Sequence, residues 1–131
     1  MLSIGDEICQ DFVINSDQYE KFIDLFQDKN PMHVDDTFAR QHGYEQKIMH
    51  GNILNGFLSY FIGECLPFKN VVIISQKISF YKPIYLNSTL ELKSKLSGIY
   101  ADQTVFEFKY KFYNKINDEM LAKGSIQIKR L

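Results

Sequence analysis

Between Gly51 and Cys65 the chain is almost wholly apolar. Ile53, Leu54, Phe57, Leu58, Phe61, Ile62 and Cys65 fill two adjacent helical stripes, and Glu64 is the one carboxylate or amine in the run. Recurrence at three and four residues predicts a helix, and one this apolar must be wrapped by other elements. Pro67 closes it. The sequence that follows has the material for a wrapping. Val71-Val72-Ile73-Ile74 leads into Ile78 and Phe80, and Leu90 and Leu92 alternate with Glu91 and Lys93. Phe106, Phe108, Tyr110 and Phe112 alternate with Glu107, Lys109 and Lys111, the clearest period-2 signal in the chain. A turn over 114–118 then returns into Met120, Ala122, Gly124, Ile126 and Ile128, the hairpin partner.

Upstream, residues 4–14 read as an opening extended segment, with Ile8, Phe12 and Ile14 on one parity. Asn15-Ser16-Asp17 offers side-chain oxygens to free backbone N–H groups, and Tyr19, Phe22, Ile23 and Phe26 follow at helical spacing, which predicts an amphipathic helix over 17–27. Pro31 is expected to stop it, because the residue before a proline is pushed out of the α region. A second short helix begins after Asp35, its N-cap, and runs to about Gln41, with Gly43 as the stop. Helices followed by a run of strands predict an α+β class: one domain over 1–131, an antiparallel sheet wrapped around a long central apolar helix, the arrangement called the hot-dog fold.

With 131 residues there is room for one domain, and 45% hydrophobic residues supply its core. A formal charge of −1 gives no global field toward nucleic acid or an anionic membrane, so neither is expected as a partner. Cys9 and Cys65 form no CxxC pair and are expected to be buried thiols. The opening residues carry charge where a secretory signal needs an apolar core, and no stretch approaches the ~18–20 apolar residues of a membrane span, so a cytoplasmic protein is expected.

The stretch Asp28-Lys29-Asn30-Pro31-Met32-His33-Val34-Asp35 holds a carboxylate and an imidazole across what reads as a proline-stiffened loop. Such a pair suits water activation, since a carboxylate accepts a proton while imidazole exchanges protons near neutral pH. As a purely structural feature the same stretch is a turn with caps. Further on, His50-Gly51 precedes the apolar helix; a glycine opening a helix lets a ligand carbonyl approach its N–H, where the helix dipole favours negative charge. Read structurally, Gly51 only relieves crowding and His50 caps or packs. The three histidines do not cluster at ligand spacing, so no metal is expected.

Asp28-x-Asn30-Pro31-x-His33-x-Asp35, followed by His50-Gly51 and the apolar helix, resembles the MaoC-like hydratase/dehydratase family, typified by short (R)-specific enoyl-CoA hydratases. The segment Ile78-Ser79-Phe80-Tyr81-Lys82-Pro83-Ile84 also resembles that family's strand-then-proline stretch. The resemblance implies that Asp28 and His33 bind the hydrating water, that the Gly51 N–H polarises the thioester carbonyl as an oxyanion hole, and that Ser59 hydrogen-bonds the catalytic aspartate. Asn30 then shapes the loop or touches substrate or water, and His50 supports the site. The implied reaction is (R)-specific hydration of a 2-enoyl thioester to the 3-hydroxyacyl thioester, or the reverse dehydration; which of Asp28 and His33 is base and which acid stays open. No separate cofactor is implied, coenzyme A or carrier-protein pantetheine being part of the substrate. Asn52, Asn55 and Gly56 depart from the usual apolar first turns and are expected to enlarge or polarise the acyl pocket, and Asn87-Ser88 replaces a Gly-Asp turn.

Two other readings compete. A hot-dog thioesterase would use a carboxylate on or beside the central helix, where this chain has only Glu64, near the far end. A non-catalytic thioester-binding or dimerisation module would leave the acid/base pair without a use. A homodimer or higher oligomer is expected, and an acyl carrier protein is a candidate partner. Lysines are spread along the chain, so no single basic patch marks an entrance for the pantetheine or nucleotide.

Overall fold

A computed structural model describes residues 2–131. The chain order is β1 (Glu7–Val13), α1 (Ser16–Phe26), α2 (Pro31–Val34), α3 (Asp36–Gln41), α4 (Ile53–Tyr60), a π-helical segment (Phe61–Cys65), then β2 (Val71–Phe80), β3 (Thr89–Tyr100), β4 (Val105–Asn114) and β5 (Met120–Arg130). The strands form one antiparallel sheet in the order β1-β3-β4-β5-β2. Alternation does what it promised: Phe106, Phe108, Tyr110 and Phe112 are buried, as are Leu90, Leu92 and Leu96 on the neighbouring strand, and Lys109 and Lys111 face out. These inward residues close over Leu54, Leu58 and Phe61, with the Phe61 ring edge-on to Phe108 at 5.5 Å.

The central helix departs from the expected single rod. It is α-helical over Ile53–Tyr60 and opens into a π-helical turn over Phe61–Cys65. Phe61 and Ile62, adjacent in sequence, are both buried there.

Helix α1 carries a full capping box: the Asn15 side chain accepts from Gln18 N–H at 2.9 Å while Gln18 Oε1 accepts from Asn15 N–H at 3.1 Å. Its end is not set by Pro31. Gln27 adopts a left-handed φ of 60° and donates back to Ile23, closing the helix before the proline is reached. Pro31 instead occupies the first position of α2, where a missing N–H costs nothing. The expected loop from Asp28 to Asp35 is therefore a turn followed by a one-turn helix. Asp35 caps α3 as expected, accepting from Phe38 N–H at 3.1 Å, and Gly43 follows with φ +90°. Asn87 holds φ 65° in the turn before β3.

The cysteine expectation is corrected. Both thiols are free, and Cys9 is exposed because it falls on the outward parity of β1, an edge strand; Cys65 is half-buried. Among the described residues no helix is long and apolar enough to cross a membrane.

Candidate active site

Three short segments meet at one point. The turn after α1 delivers Asp28, whose Oδ1 accepts from Asn30 N–H at 3.2 Å; Asn30 Oδ1 in turn accepts from Met32 N–H at 3.0 Å and caps α2. Asn30 thus shapes the segment. One turn of α2 then presents His33. The strip before α4 is tied down by Ile48 N–H to the Met32 carbonyl at 2.9 Å and Met49 N–H to the Ile84 carbonyl at 2.8 Å. This places His50 beneath both Asp28 and His33.

His50 is buried, 5% exposed, and stacks on the His33 ring at 3.9 Å between centroids. Its Nε2 lies 2.8 Å from the Asp28 carbonyl oxygen, and its Nδ1 lies 2.9 Å from the hydroxyl of Tyr19, which also reaches the His33 carbonyl at 2.9 Å. A carbonyl only accepts, so Nε2 carries the proton; with His50 neutral, its Nδ1 and the His33 carbonyl are both acceptors and share the single Tyr19 hydroxyl proton. Burial drives both groups toward their neutral forms, lowering the His50 pKa and pushing that of Tyr19 up to about 12. Sequence reading treated Tyr19 as one more apolar stripe position; its aromatic body does face the core, but its hydroxyl binds the site together.

The same logic fixes the tautomer of His33. Its Nδ1 lies 2.8 Å from the Ile48 carbonyl and must donate, which leaves Nε2 as an acceptor with no partner among the described residues. The Asp28 carboxylate is half-exposed, with Oδ2 3.5 Å from His50 Nε2. Asp28 and His33 are therefore brought together, each with an acceptor atom to spare.

Sequence spacing suggested that the histidines stay apart. In space, one ligand atom each from Asp28, His33 and His50 lie within 4.8 Å of one another. The cluster nonetheless fits a metal poorly. Both His50 nitrogens and His33 Nδ1 are engaged in hydrogen bonds, so His33 Nε2 and Asp28 are the donors left, fewer than the three protein ligands of a usual catalytic zinc site.

Gly51 lies in the turn before α4 rather than within its first turn. Its carbonyl accepts from Leu54 N–H at 3.0 Å, while its own N–H has no partner among the described residues. The Phe80 ring sits so close that a Cβ on Gly51 would meet it at 2.8 Å. Gly51 and His33 line one open cavity of about 400 Å³, together with Phe80, Tyr81 and Ile84. Asp28 and His50 line a second, of about 640 Å³, walled by Phe22, Phe26 and Phe57. Asn52 borders both cavities, and Asn55 and Gly56 line the larger one. Ser59 is not brought to Asp28: it is exposed on α4 and makes no hydrogen bond to the carboxylate. Glu64 is exposed, within 3.5 Å of Lys69, and lines neither cavity.

The buried, neutral His50 makes stability depend on pH. Its folded-state pKa lies below the ordinary 6.5, so the unfolded chain binds the extra proton first. The contribution is complete above about 6.5 and is lost as pH falls below it toward the folded-state value. Chemical denaturation from pH 7.5 down to about 5.5 should show wild type losing stability faster than His50→Gln; a wild-type profile no steeper than the variant's would contradict the assignment.

A family model described as a MaoC like domain matches residues 4–118. The mitochondrial 3-hydroxyacyl-[acyl-carrier-protein] dehydratase of Arabidopsis thaliana is 26% identical over 115 residues, covering 88% of this chain and 67% of that protein. The (R)-specific enoyl-CoA hydratase of Aeromonas caviae is 29% identical over 84 residues, 64% of this chain and 63% of that protein. The matched stretch thus spans about two-thirds of the length of these relatives. Among solved structures, the (R)-hydratase from A. caviae superposes with a TM-score of 0.90 at 22% identity, covering 99% of this chain and 98% of that one. The likeness of structure establishes the hot-dog fold, and with the family match over most of the sequence it follows that this chain belongs to the MaoC-like domain family.

Proposed function

We propose that the chain is a hydro-lyase that adds water across a 2-enoyl thioester to give the (R)-3-hydroxyacyl thioester, or runs the reverse dehydration. The observation that carries this reading is the pair of open acceptors on Asp28 and His33, with the unpartnered Gly51 N–H in the cavity that His33 also lines. A water between two acceptors donates one hydrogen to each and turns a lone pair outward. Its oxygen bonds to C3 of the enoyl group, the C2–C3 π electrons move toward the thioester carbonyl, and the Gly51 N–H stabilises the charge that develops on that oxygen. The O–H bond of the water breaks to the acid/base pair, and a proton is returned to C2, so that water is consumed and no other reactant is needed. Asn30, His50 and Tyr19 hold the pair in place. The named activities of the curated relatives agree with this class, and two thioester carriers, coenzyme A and acyl carrier protein, occur in their names.

The enoyl chromophore of crotonyl-CoA reads the reaction directly. Wild-type protein should bleach it and give the (R) product. Release of free thiol with the chromophore intact would favour a thioesterase instead, and the (S) product would contradict the stereochemical assignment.

A homo-oligomer completes the proposal. β2 is an edge strand that exposes Val72, Ile73 and Ile74, an apolar edge of the kind that proteins pair or cover. Sedimentation should give at least a dimer, and a fully active monomer would remove this part of the reading.

A further inference from the structure

We propose that the outer face of the sheet is a docking surface for an acidic carrier protein that bears the acyl thioester; this rests on the function proposed above and names the partner of that same site. Lysines scattered in sequence are gathered by strand register. Lys93 stands opposite Lys111, Lys111 opposite Lys123, and Lys95 opposite Lys109, while Lys77 on β2 faces Ser125 beside them. They form two adjacent rows of positive charge running across strands about 4.8 Å apart. Residues spread along the chain, from which no single basic patch was expected to mark the entrance, are thus gathered: alternation puts them on one face, and pairing brings them abreast.

Like charges directly opposite one another destabilise a sheet, and in a chain of net charge −1 such crowding is local, not global. Glu91 lies 3.6 Å from Lys93 and Glu7 lies 3.7 Å from Lys95, which relieves the β3 side. Lys77, Lys109, Lys111 and Lys123 have no carboxylate within salt-bridge distance among the described residues, and Glu107, next along β4, is engaged with Ser97 and Gln127. They border a shallow concavity of about 680 Å³.

This face runs directly into the site. Lys123 Nζ sits over the Tyr81 ring, 5.5 Å from its centre, and Tyr81 lines the cavity that holds His33 and Gly51. β2 likewise passes from Lys77 on the charged face to Phe80 against Gly51 within three residues. A partner seated on the lysines has the mouth of that cavity at its edge.

The chemistry of the patch selects the occupant. It contains no arginine fork and no helix N-terminus, the features that grip phosphates at one point. Its lysines are flexible point charges dispersed over four strands of an open face, which suits carboxylates spaced along a protein surface. The nucleotide of coenzyme A would place its phosphates close together and leave most of the patch unused.

The test compares crotonyl-CoA with the crotonyl thioester of an acidic acyl carrier protein, for wild type and Lys111→Glu/Lys123→Glu, with melting midpoints to verify folding. The carrier-bound substrate should lose about tenfold or more in kcat/KM at low ionic strength, the difference shrinking with added salt, while crotonyl-CoA changes less than about twofold. The neutral Lys111→Gln/Lys123→Gln should lose less, in the same direction, and it replaces the reversal variant if that one is misfolded. Equal losses on both substrates, or none on either, overturn the proposal. Anisotropy of a fluorescently labelled holo-carrier protein reads docking without turnover. Lysine-dependent binding to a wild-type chain that hydrates neither substrate would sink the reading of the site yet support the surface, whereas binding unchanged by the variants would overturn the surface whatever the activity.

Discussion

Asp28→Asn is expected to lower the rate of crotonyl-CoA hydration by about a thousandfold, in the middle of the range that a positioned general acid or base contributes. The substitution removes charge and proton affinity while keeping shape. The amide oxygen still accepts from Asn30 N–H, and the backbone carbonyl that holds His50 Nε2 is untouched. Because the carboxylate is half-exposed and the imidazole 3.5 Å from its Oδ2 is neutral, so that no ion pair is lost, the melting transition should stay within about 0.5 kcal/mol of wild type. Loss of activity with retained stability separates chemistry from folding. His33→Ala should fall to a similar floor, and the double variant should lie close to either single one, because two groups that hold one water fail together. An Asp28→Asn protein that keeps more than about a tenth of the wild-type rate would remove Asp28 from the mechanism.

The largest structural effect is expected at Gly124. There the Tyr110 hydroxyl crosses the β5 backbone to donate to the Lys77 carbonyl at 2.8 Å, and a Cβ on Gly124 would meet that carbonyl oxygen at 1.9 Å and the hydroxyl at 2.6 Å. Backbone has to move, and β2, paired only to β5, is what can move. Gly124→Ala should cost about 3 kcal/mol, the upper end for overpacking, with the broken Tyr110 bond included. Tyr110→Phe removes the bond without the clash and should cost about 1 kcal/mol. Since β2 ends in Phe80 and leads directly into Tyr81, the glycine variant should also raise KM for the thioester in whatever fraction still folds. A Gly124→Ala protein as stable as wild type would show that the sheet does not hold β2 as tightly as described.

Features that depend on local spacing were legible in the sequence. The inward parity of Phe106 through Phe112, a cap within Asn15-Ser16-Asp17, which falls on Asn15, and the cap at Asp35 each need only a few neighbouring residues, and all three stand in the structure. Features that depend on which strand lies beside which were not. The lysine rows exist only through register, and the Asp28–His33–His50 cluster only through the folding back of the strip 48–50 onto α2. Two misreadings were of residues with two uses. Pro31 ends helices but also begins them, and here Gln27 had already ended α1. Tyr19 occupies an apolar stripe yet spends its hydroxyl on two histidines. The π-helical turn carries no compositional mark, since the same apolar residues serve either helix.

The position of β1 governs how such a chain can reach its native state. β1 pairs with β3, joining Glu7 to Lys95 and Val13 to Thr89 across every helix of the domain, and Phe12 stacks on Phe57 at 4.2 Å. That edge cannot zip until β3 exists, and β3 gains its inner partner only when β4 returns along it. As the chain leaves a ribosome, the apolar face of α4 therefore emerges with no sheet to shield it. Closure entropy for so distant a pairing must be met before any of its contacts form, which makes folding slower than that of helical domains built on local contacts.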